Sequence, residues 1–584
     1  MISISLIFLS AVLAHGAQAA SSSRNLVQLL GPQSVNLWKL DRLASESSAW
    51  LTDDVTIQDA GQMHMNTRQF HARWFEQPLD HFSNSSETFL QRYWVNDRHY
   101  KSGSGKPTPV IVIDGGETSG ANRLPFLDTG IAEILAKATG GIGVVLEHRY
   151  YGMLSIIKSK LTFLISSRCN RRVPSSTQLE FLNNAQSAAD SANFMANIKF
   201  PGIAEDLTSP NTPWIYYGGS YAGARAAHMR VLYPDLVFGA IASSAVTHAS
   251  IENWEYMEII RNAADPKCIS HLETSIQTID HILSLPQTQL KRRLKGLFGV
   301  ADLEHDEDFV SLIESPLGSW QAKNWDPAVG SNRWDEFCEA LDKPIFGGAE
   351  LEELIGDEEA SYDQRSQLVT FYGMDGLQLD LSILNYAKYI KQNYVSQCPI
   401  DAGATVEQCF GTYDDEQFQG VSLDETWRLW VFQVCTEWGY FSTAPPEDHP
   451  RIVSKLLTLD YEAKICRQAF PPGKYFTVPH LPNVTVVNEL GDFDIEADRL
   501  AIIDGDVDPW RPCTPHSDYA RDRPDTVQKP FKLIPGGVHH YDENGLRNPA
   551  KEPFQIQKIH TEIVEFVTAW LEDWKAPKAT IVEG

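Results

Sequence analysis

The run Trp214-Ile215-Tyr216-Tyr217-Gly218-Gly219-Ser220-Tyr221-Ala222-Gly223 sets the architecture of this chain. Four large apolar residues followed by glycines read as a buried strand, and the Ala-rich segment that begins near Tyr221 reads as a helix. So abrupt a passage from strand to helix needs small residues around the serine, and it lifts the hydroxyl above the sheet. Ala222 stands where the G-x-S-x-G pattern has its second glycine, a difference of one methyl, and Gly223 follows at once. The competing reading is a serine in a purely structural Gly-rich turn.

On either side of this turn the chain alternates strand and helix. Pro109-Val-Ile-Val-Ile-Asp114 is a β-branched run ending in Gly115-Gly116, and Gly143 to Glu147 is a second buried strand. Val237 to Ala245, Arg499 to Asp504 and Lys532 to Ile534 read as further strands, with helices expected over Ile131 to Lys137 and Leu179 to Asn197. Alternation of this kind predicts an α/β fold with a mostly parallel sheet. From 251 to 488 the pattern turns Leu-, Glu- and Trp-rich without βαβ alternation, so a helical insertion is expected there. Residues 20–250 and 489–584 then form the two parts of the sheet domain.

The 584 residues are 43% hydrophobic and 10% aromatic, enough for a large core and too apolar for a disordered chain. Asp and Glu number 76 against 49 Lys and Arg, and the net charge of -27 repels phosphate backbones and anionic lipid. Neither nucleic acid nor a membrane is expected as a partner. Protonation in an acidic medium would relieve the self-repulsion. The apolar run Ile2 to Ala14, followed by Ala17-Gln18-Ala19, reads as a secretory signal peptide over residues 1–19. Eight cysteines without a CxxC pair or zinc spacing fit disulfides in an oxidising compartment. Asn84 and Asn483 begin two glycosylation sequons.

A serine hydroxyl becomes a nucleophile only beside a base, and the base needs an anion to hold its tautomer. Asp508 follows one predicted strand, within Asp504-Gly-Asp-Val-Asp-Pro-Trp510, and His539 follows another, within Pro535-Gly-Gly-Val-His-His540. Asp504 and Asp506 are rivals for the carboxylate, and Asp508 has the alternative of a simple Asp-Pro turn. The order Ser220, Asp508, His539 is that of the α/β-hydrolase fold and excludes the chymotrypsin and subtilisin orders. For the oxyanion hole the expected donors are the amides of Tyr221 and Gly116, the latter in the loop after an early strand. No HExxH pattern accompanies the histidines, and neither a metal nor a cofactor is expected.

At these residues the chain resembles the S28 family of serine peptidases. The motifs are Phe75-Glu-Gln-Pro-Leu-Asp-His-Phe82, Gln91-Arg-Tyr-Trp-Val-Asn-Asp97, Gly115-Gly-Glu117, Glu147-His-Arg-Tyr-Tyr-Gly152, Gly218-Gly-Ser-Tyr221, Cys435-Thr-Glu437, Asp508-Pro-Trp510 and His539-His540. The resemblance implies an α/β-hydrolase domain capped by the helical insertion, and a peptidase that favours proline on the acyl side, usually in acidic surroundings. It assigns Ser220 as nucleophile, Asp508 as the orienting carboxylate and His539 as base. Trp510 becomes a wall of a proline pocket, or else core beneath the loop. Glu117 and Glu437 would read a substrate terminus, sharing a proton, or else hydrogen-bond within the fold. The resemblance also pairs Cys435 with Cys466, and proximity pairs Cys398 with Cys409 and Cys268 with Cys338, leaving Cys169 and Cys513.

Two departures stand out. The chain inserts Met153 to about Arg172, which reads either as a genuine insertion or as a translated intron, and Val538 replaces the usual Ala before the histidines. The reading is a secreted or vacuolar serine peptidase acting on peptides or proteins through an acyl-enzyme. Its rivals are an esterase or lipase on the same scaffold and a non-catalytic binding module. Oligomeric state and exo or endo mode are not written in the sequence.

Overall fold

The computed structural model describes residues 70–103, 107–152, 178–345, 348–356, 358–372, 376–421 and 427–575. The expected signal peptide and the insertion from Met153 lie outside them. Eight strands form the central sheet: β1 (Arg73–Pro78), β2 (Thr88–Asn96), β3 (Val110–Asp114), β4 (Ile142–Leu146), β5 (Trp214–Gly219), β6 (Gly239–Ser243), β7 (Leu500–Gly505) and β8 (Phe531–Ile534). Their order is β1-β2-β4-β3-β5-β6-β7-β8. The six strands from β4 to β8 in this order run parallel, while β1 and β2 pair antiparallel at one edge.

Alternate residues of the parallel strands feed two cores, as a two-residue side-chain period requires. Val110, Val112, Trp214 and Tyr216 face one side, against α2 (Asn184–Asn197) and α3 (Tyr221–Leu232). Ile111, Ile113, Ile215 and Tyr217 face the other, against α1 (Ile131–Thr139) and α4 (Phe554–Glu572). The expected helix from Leu179 starts later, because the Asn183 side chain accepts the Gln186 amide and caps α2. The strands β1 and β2 escape a hydrophobic reading because polar Gln77 and Gln91 are buried there, joined by a 2.6 Å hydrogen bond.

Between β6 and β7 the chain leaves the sheet and builds the cap over its C-terminal edge. One core gathers the cap helices with Tyr221, Val246, Trp510 and Val538 of the sheet domain. The insertion is not purely helical. Ala360–Asp363, Leu368–Phe371 and Leu377–Asp380 form an antiparallel sheet whose alternating Val369, Phe371 and Leu379 are buried. Three disulfides brace the insertion, Cys268–Cys338, Cys398–Cys409 and Cys435–Cys466, and Cys513 is a buried free thiol.

A buried ion pair ties the end of β3 to α3. Arg225 Nε donates to Asp114 Oδ2 at 2.8 Å, and the guanidinium also reaches Ser187 O and Ser191 Oγ on α2. Asp114 further accepts Tyr216 OH at 2.5 Å and Gly116 N–H at 2.9 Å. Burial opposes ionisation of Asp114, but the Arg225 charge outweighs it and holds the carboxyl below its usual range. Removing one partner strands the other charge, so Arg225→Met should cost about 3–5 kcal/mol, read as a lowered melting temperature. The double variant Arg225→Met, Asp114→Asn should recover part of that loss.

Candidate active site

Ser220 sits between β5 and α3 at φ 62°, in the left-handed region that a β-carbon disfavours. The elbow is tight: a methyl on Gly218 would lie 1.9 Å from Ala222 O, and one on Gly223 would lie 2.4 Å from Ser243 O. Ala222 is tolerated in place of glycine because its methyl faces Gly116, which has no side chain to meet it.

Folding brings together three residues far apart in the chain. Ser220 Oγ lies 2.8 Å from His539 Nε2, and His539 Nδ1 lies 3.0 and 3.1 Å from the two oxygens of Asp508. Asp508 is fully buried and also accepts the Trp510 amide at 2.9 Å. Burial raises its carboxyl, yet the His539 charge and hydrogen bond bring it below the ordinary value. The rivals are engaged elsewhere: Asp504 meets His516 Nδ1 at 2.6 Å, and Asp506 accepts the Gly536 amide. The second histidine, His540, turns away and pairs with Glu543 at 2.8 Å. Such an array can pass a serine proton to imidazole while a buried carboxylate steadies the resulting cation.

The Gly116 N–H, one of the expected oxyanion donors, donates to Asp114 Oδ1 at 2.9 Å. The next amide, Glu117 N–H, has no acceptor among the described residues, and Tyr221 N–H opens α3 with none inside the helix. Positive φ at Gly116, 63°, turns the chain so that consecutive amides point differently.

The Tyr221 ring is fixed by a buried chain of donors. Tyr151 OH donates to Gln433 Oε1 at 2.5 Å, and Gln433 Nε2 donates to Tyr221 OH at 2.7 Å. Tyr221 OH in turn lies 3.0 Å from His148 Nε2, while His148 Nδ1 lies 2.9 Å from Arg149 O. Burial, joined by the Arg225 charge, drives His148 down to about 3, so it is neutral. A neutral ring facing a carbonyl with Nδ1 carries its proton there, and Nε2 accepts from Tyr221. Sequence reasoning missed this chain, Arg225 and Glu543. The one available signal was that His148 and Tyr151 share a matched motif.

The remaining expected residues fall around this centre. Trp510 is 7% exposed, packed between Tyr256 and Tyr440 with its ring centroid 6.1 Å from that of His539, and its Nε1 donates to Gln321 of the cap. It is core beneath the loop and stands beside His539. Glu437 lies on a π-turn of the cap, Val434–Trp438, and accepts the Asn184 amide at the start of α2. Glu117 is half-buried with an unpartnered Oε2. No hydrogen bond joins the two carboxyls among the described residues, so the shared proton is not seen. Asn84 and Asn483 are exposed, and the expected Cys435–Cys466 bond is present. No group of His, Cys, Asp or Glu among the described residues could hold a metal ion, and no described helix is long and apolar enough to cross a membrane.

The family model "Serine carboxypeptidase S28" matches residues 77–321 and 380–562. The chain is 38% identical over 519 residues to the "Probable extracellular serine carboxypeptidase" of Arthroderma benhamiae, covering 86% of this chain and 68% of that relative. It is 26% identical to "Serine protease vicPb" of Bipolaris victoriae, over 85% of this chain and 89% of the relative. Against "Lysosomal Pro-X carboxypeptidase" of Mus musculus identity is 31%, over 44% of this chain and 48% of the relative.

Burial lifts Glu437 from the ordinary 4.5 to about 7, against the opposing Asn184 hydrogen bond. In that window the folded protein keeps a proton that the unfolded chain has released, so this group's contribution to stability falls as pH rises. Glu437→Gln should therefore flatten the decline of melting temperature between pH 4.5 and about 7. A slope unchanged from wild type would contradict the assignment.

Proposed function

This chain belongs to the serine carboxypeptidase S28 family, and from that premise we propose that it trims single residues from peptide C-termini outside the cell or in an acidic, lysosome-like compartment. It is a serine peptidase on an α/β-hydrolase fold. The observation that carries its chemistry is the 2.8 Å contact of Ser220 Oγ with His539 Nε2, continued through Nδ1 to buried Asp508. In the proposed reaction Ser220 gives its proton to His539 and attacks the scissile carbonyl. The amides of Tyr221 and Glu117 hold the oxyanion, His539 returns the proton to the leaving amine, and water then resolves the acyl-enzyme.

The carboxypeptidase mode draws support from the family description and the Arthroderma relative, and the location from that relative and the lysosomal one. A preference for proline on the acyl side draws support from the Pro-X relative and from Trp510, whose flat indole beside His539 suits a pyrrolidine ring.

A fluorophosphonate probe should label the wild type and leave Ser220→Ala unlabelled. Asp508→Asn should lose roughly 10⁴-fold in kcat, since the imidazole then takes the wrong tautomer. Digestion of a peptide library at acid and neutral pH, read by mass, should show single C-terminal residues lost, most readily after proline. Release of N-terminal dipeptides, internal cleavage, or hydrolysis of fatty acyl esters alone would overturn the carboxypeptidase reading.

A further inference from the structure

Three guanidinium groups around the site are each matched to a buried carboxylate. Arg92 pairs with Glu147, Arg149 with Asp190 and Arg225 with Asp114. Arg123 is the exception, with no ion pair among the described residues although it is half-buried in a strongly acidic protein. Its one hydrogen bond among the described residues is Nε to Gly115 O at 3.2 Å, which spends one edge of the guanidinium on the loop after β3. The outer nitrogens are left with no acceptor among the described residues. The position is also firmly built. Arg123 closes the turn Gly120–Arg123, whose first amide donates to Glu147 Oε1 at 3.0 Å, and Arg92 clamps Glu147 from the other side. Phe126 lies beneath the guanidinium, with its ring centroid 5.9 Å away.

The place of Arg123 relative to the reacting centre follows from Gly116. A methyl built on that glycine would lie 3.5 Å from Arg123 Nη2 and 3.3 Å from the methyl of Ala222, two residues beyond the nucleophile. Two carboxylates stand near it: Glu543, which pairs with His540 at 2.8 Å and also feels the Arg123 charge, and Glu117 on the loop itself. When a single residue is released from a C-terminus, its carboxylate carbon lies only about 3–4 Å from the scissile carbonyl carbon, across one N–Cα bond. A receptor for that carboxylate therefore has to stand on the lip of the oxyanion loop, with a planar pair of donors turned toward it.

We propose that Arg123 binds the C-terminal carboxylate of the substrate, and so determines that the enzyme releases one residue from a free C-terminus. The inference deepens the carboxypeptidase reading and rests on it.

The test compares a peptide ending in a free carboxylate with the same peptide ending in an amide. The wild type should favour the free acid in kcat/KM. In Arg123→Gln that preference should shrink by roughly 10- to 100-fold, the scale of hydrogen bonds to a charged group, and Arg123→Lys should fall between. Because each preference is a ratio of two substrates on one variant, any change in the loop that Arg123 Nε touches lowers both rates and cancels. In the wild type, modification of Arg123 by phenylglyoxal, mapped by mass, should be slowed by a free amino acid product and not by its amide, a measurement that needs no variant. If the wild type trims C-termini but Arg123→Gln keeps the full preference, or the free acid gives no protection, the role of Arg123 is overturned alone. A wild type that treats acid and amide alike overturns this inference together with the carboxypeptidase reading.

Discussion

The site hangs on the buried pairing of Arg225 with Asp114. Two charges removed from water are costly, and the pair is supported by the further hydrogen bonds that both partners make. Asp114 takes donors from Arg225, Tyr216 and Gly116, while Arg225 also reaches α2 through Ser187 and Ser191. One carboxylate thus joins the strand before the oxyanion loop, the strand before the nucleophile and the helix after it. This polar junction adds to the β3–β5 ladder and the shared apolar cores in holding the loop after β3 beside Ser220. The other oxygen of Asp114 holds the Gly116 amide, while the Glu117 amide has no acceptor among the described residues.

The cap takes part in that positioning. Gln433, from the inserted segment, holds Tyr221 by its hydroxyl, and Trp320 and Gln321 bond to Val507 O and Trp510 on either side of Asp508. The Cys435–Cys466 bond braces the turn beside Gln433. Loosening the cap would therefore disturb the residue that follows the nucleophile as well as the loop that carries the carboxylate. Carboxyls buried in the cap favour protonation. Burial lifts Glu437 to about 7 and Glu462 to about 8, the latter despite nearby Lys464. Groups of this kind are most at ease in acid, where the -27 net charge is also partly discharged.

The matched motifs acquire physical meaning at the same centre. Glu147 anchors the turn before Arg123, and His148 and Tyr151 orient Tyr221 through their hydrogen bonds. Arg149 pairs with Asp190, which also meets His81 of the first motif at 2.7 Å. Most of these residues support the reacting groups without belonging to them.

The parallel strands, the elbow around Ser220 and the order of serine, aspartate and histidine were legible in the residues, because apolar periodicity and small-residue turns are local properties. The edge strands β1 and β2 were not, since their inward positions include Gln77 and Gln91, polar groups satisfied only by each other and by distant partners. The small antiparallel sheet of the cap was hidden for another reason: its strands are four residues long, too short for a period to register. Only the tertiary structure set Asp508, rather than Asp504 or Asp506, against His539, tied the Gly116 amide to Asp114 and left Arg123 with no salt bridge among the described residues. Each of those outcomes depends on which partner a polar group meets across tens or hundreds of residues, and the local pattern of a chain carries no record of that.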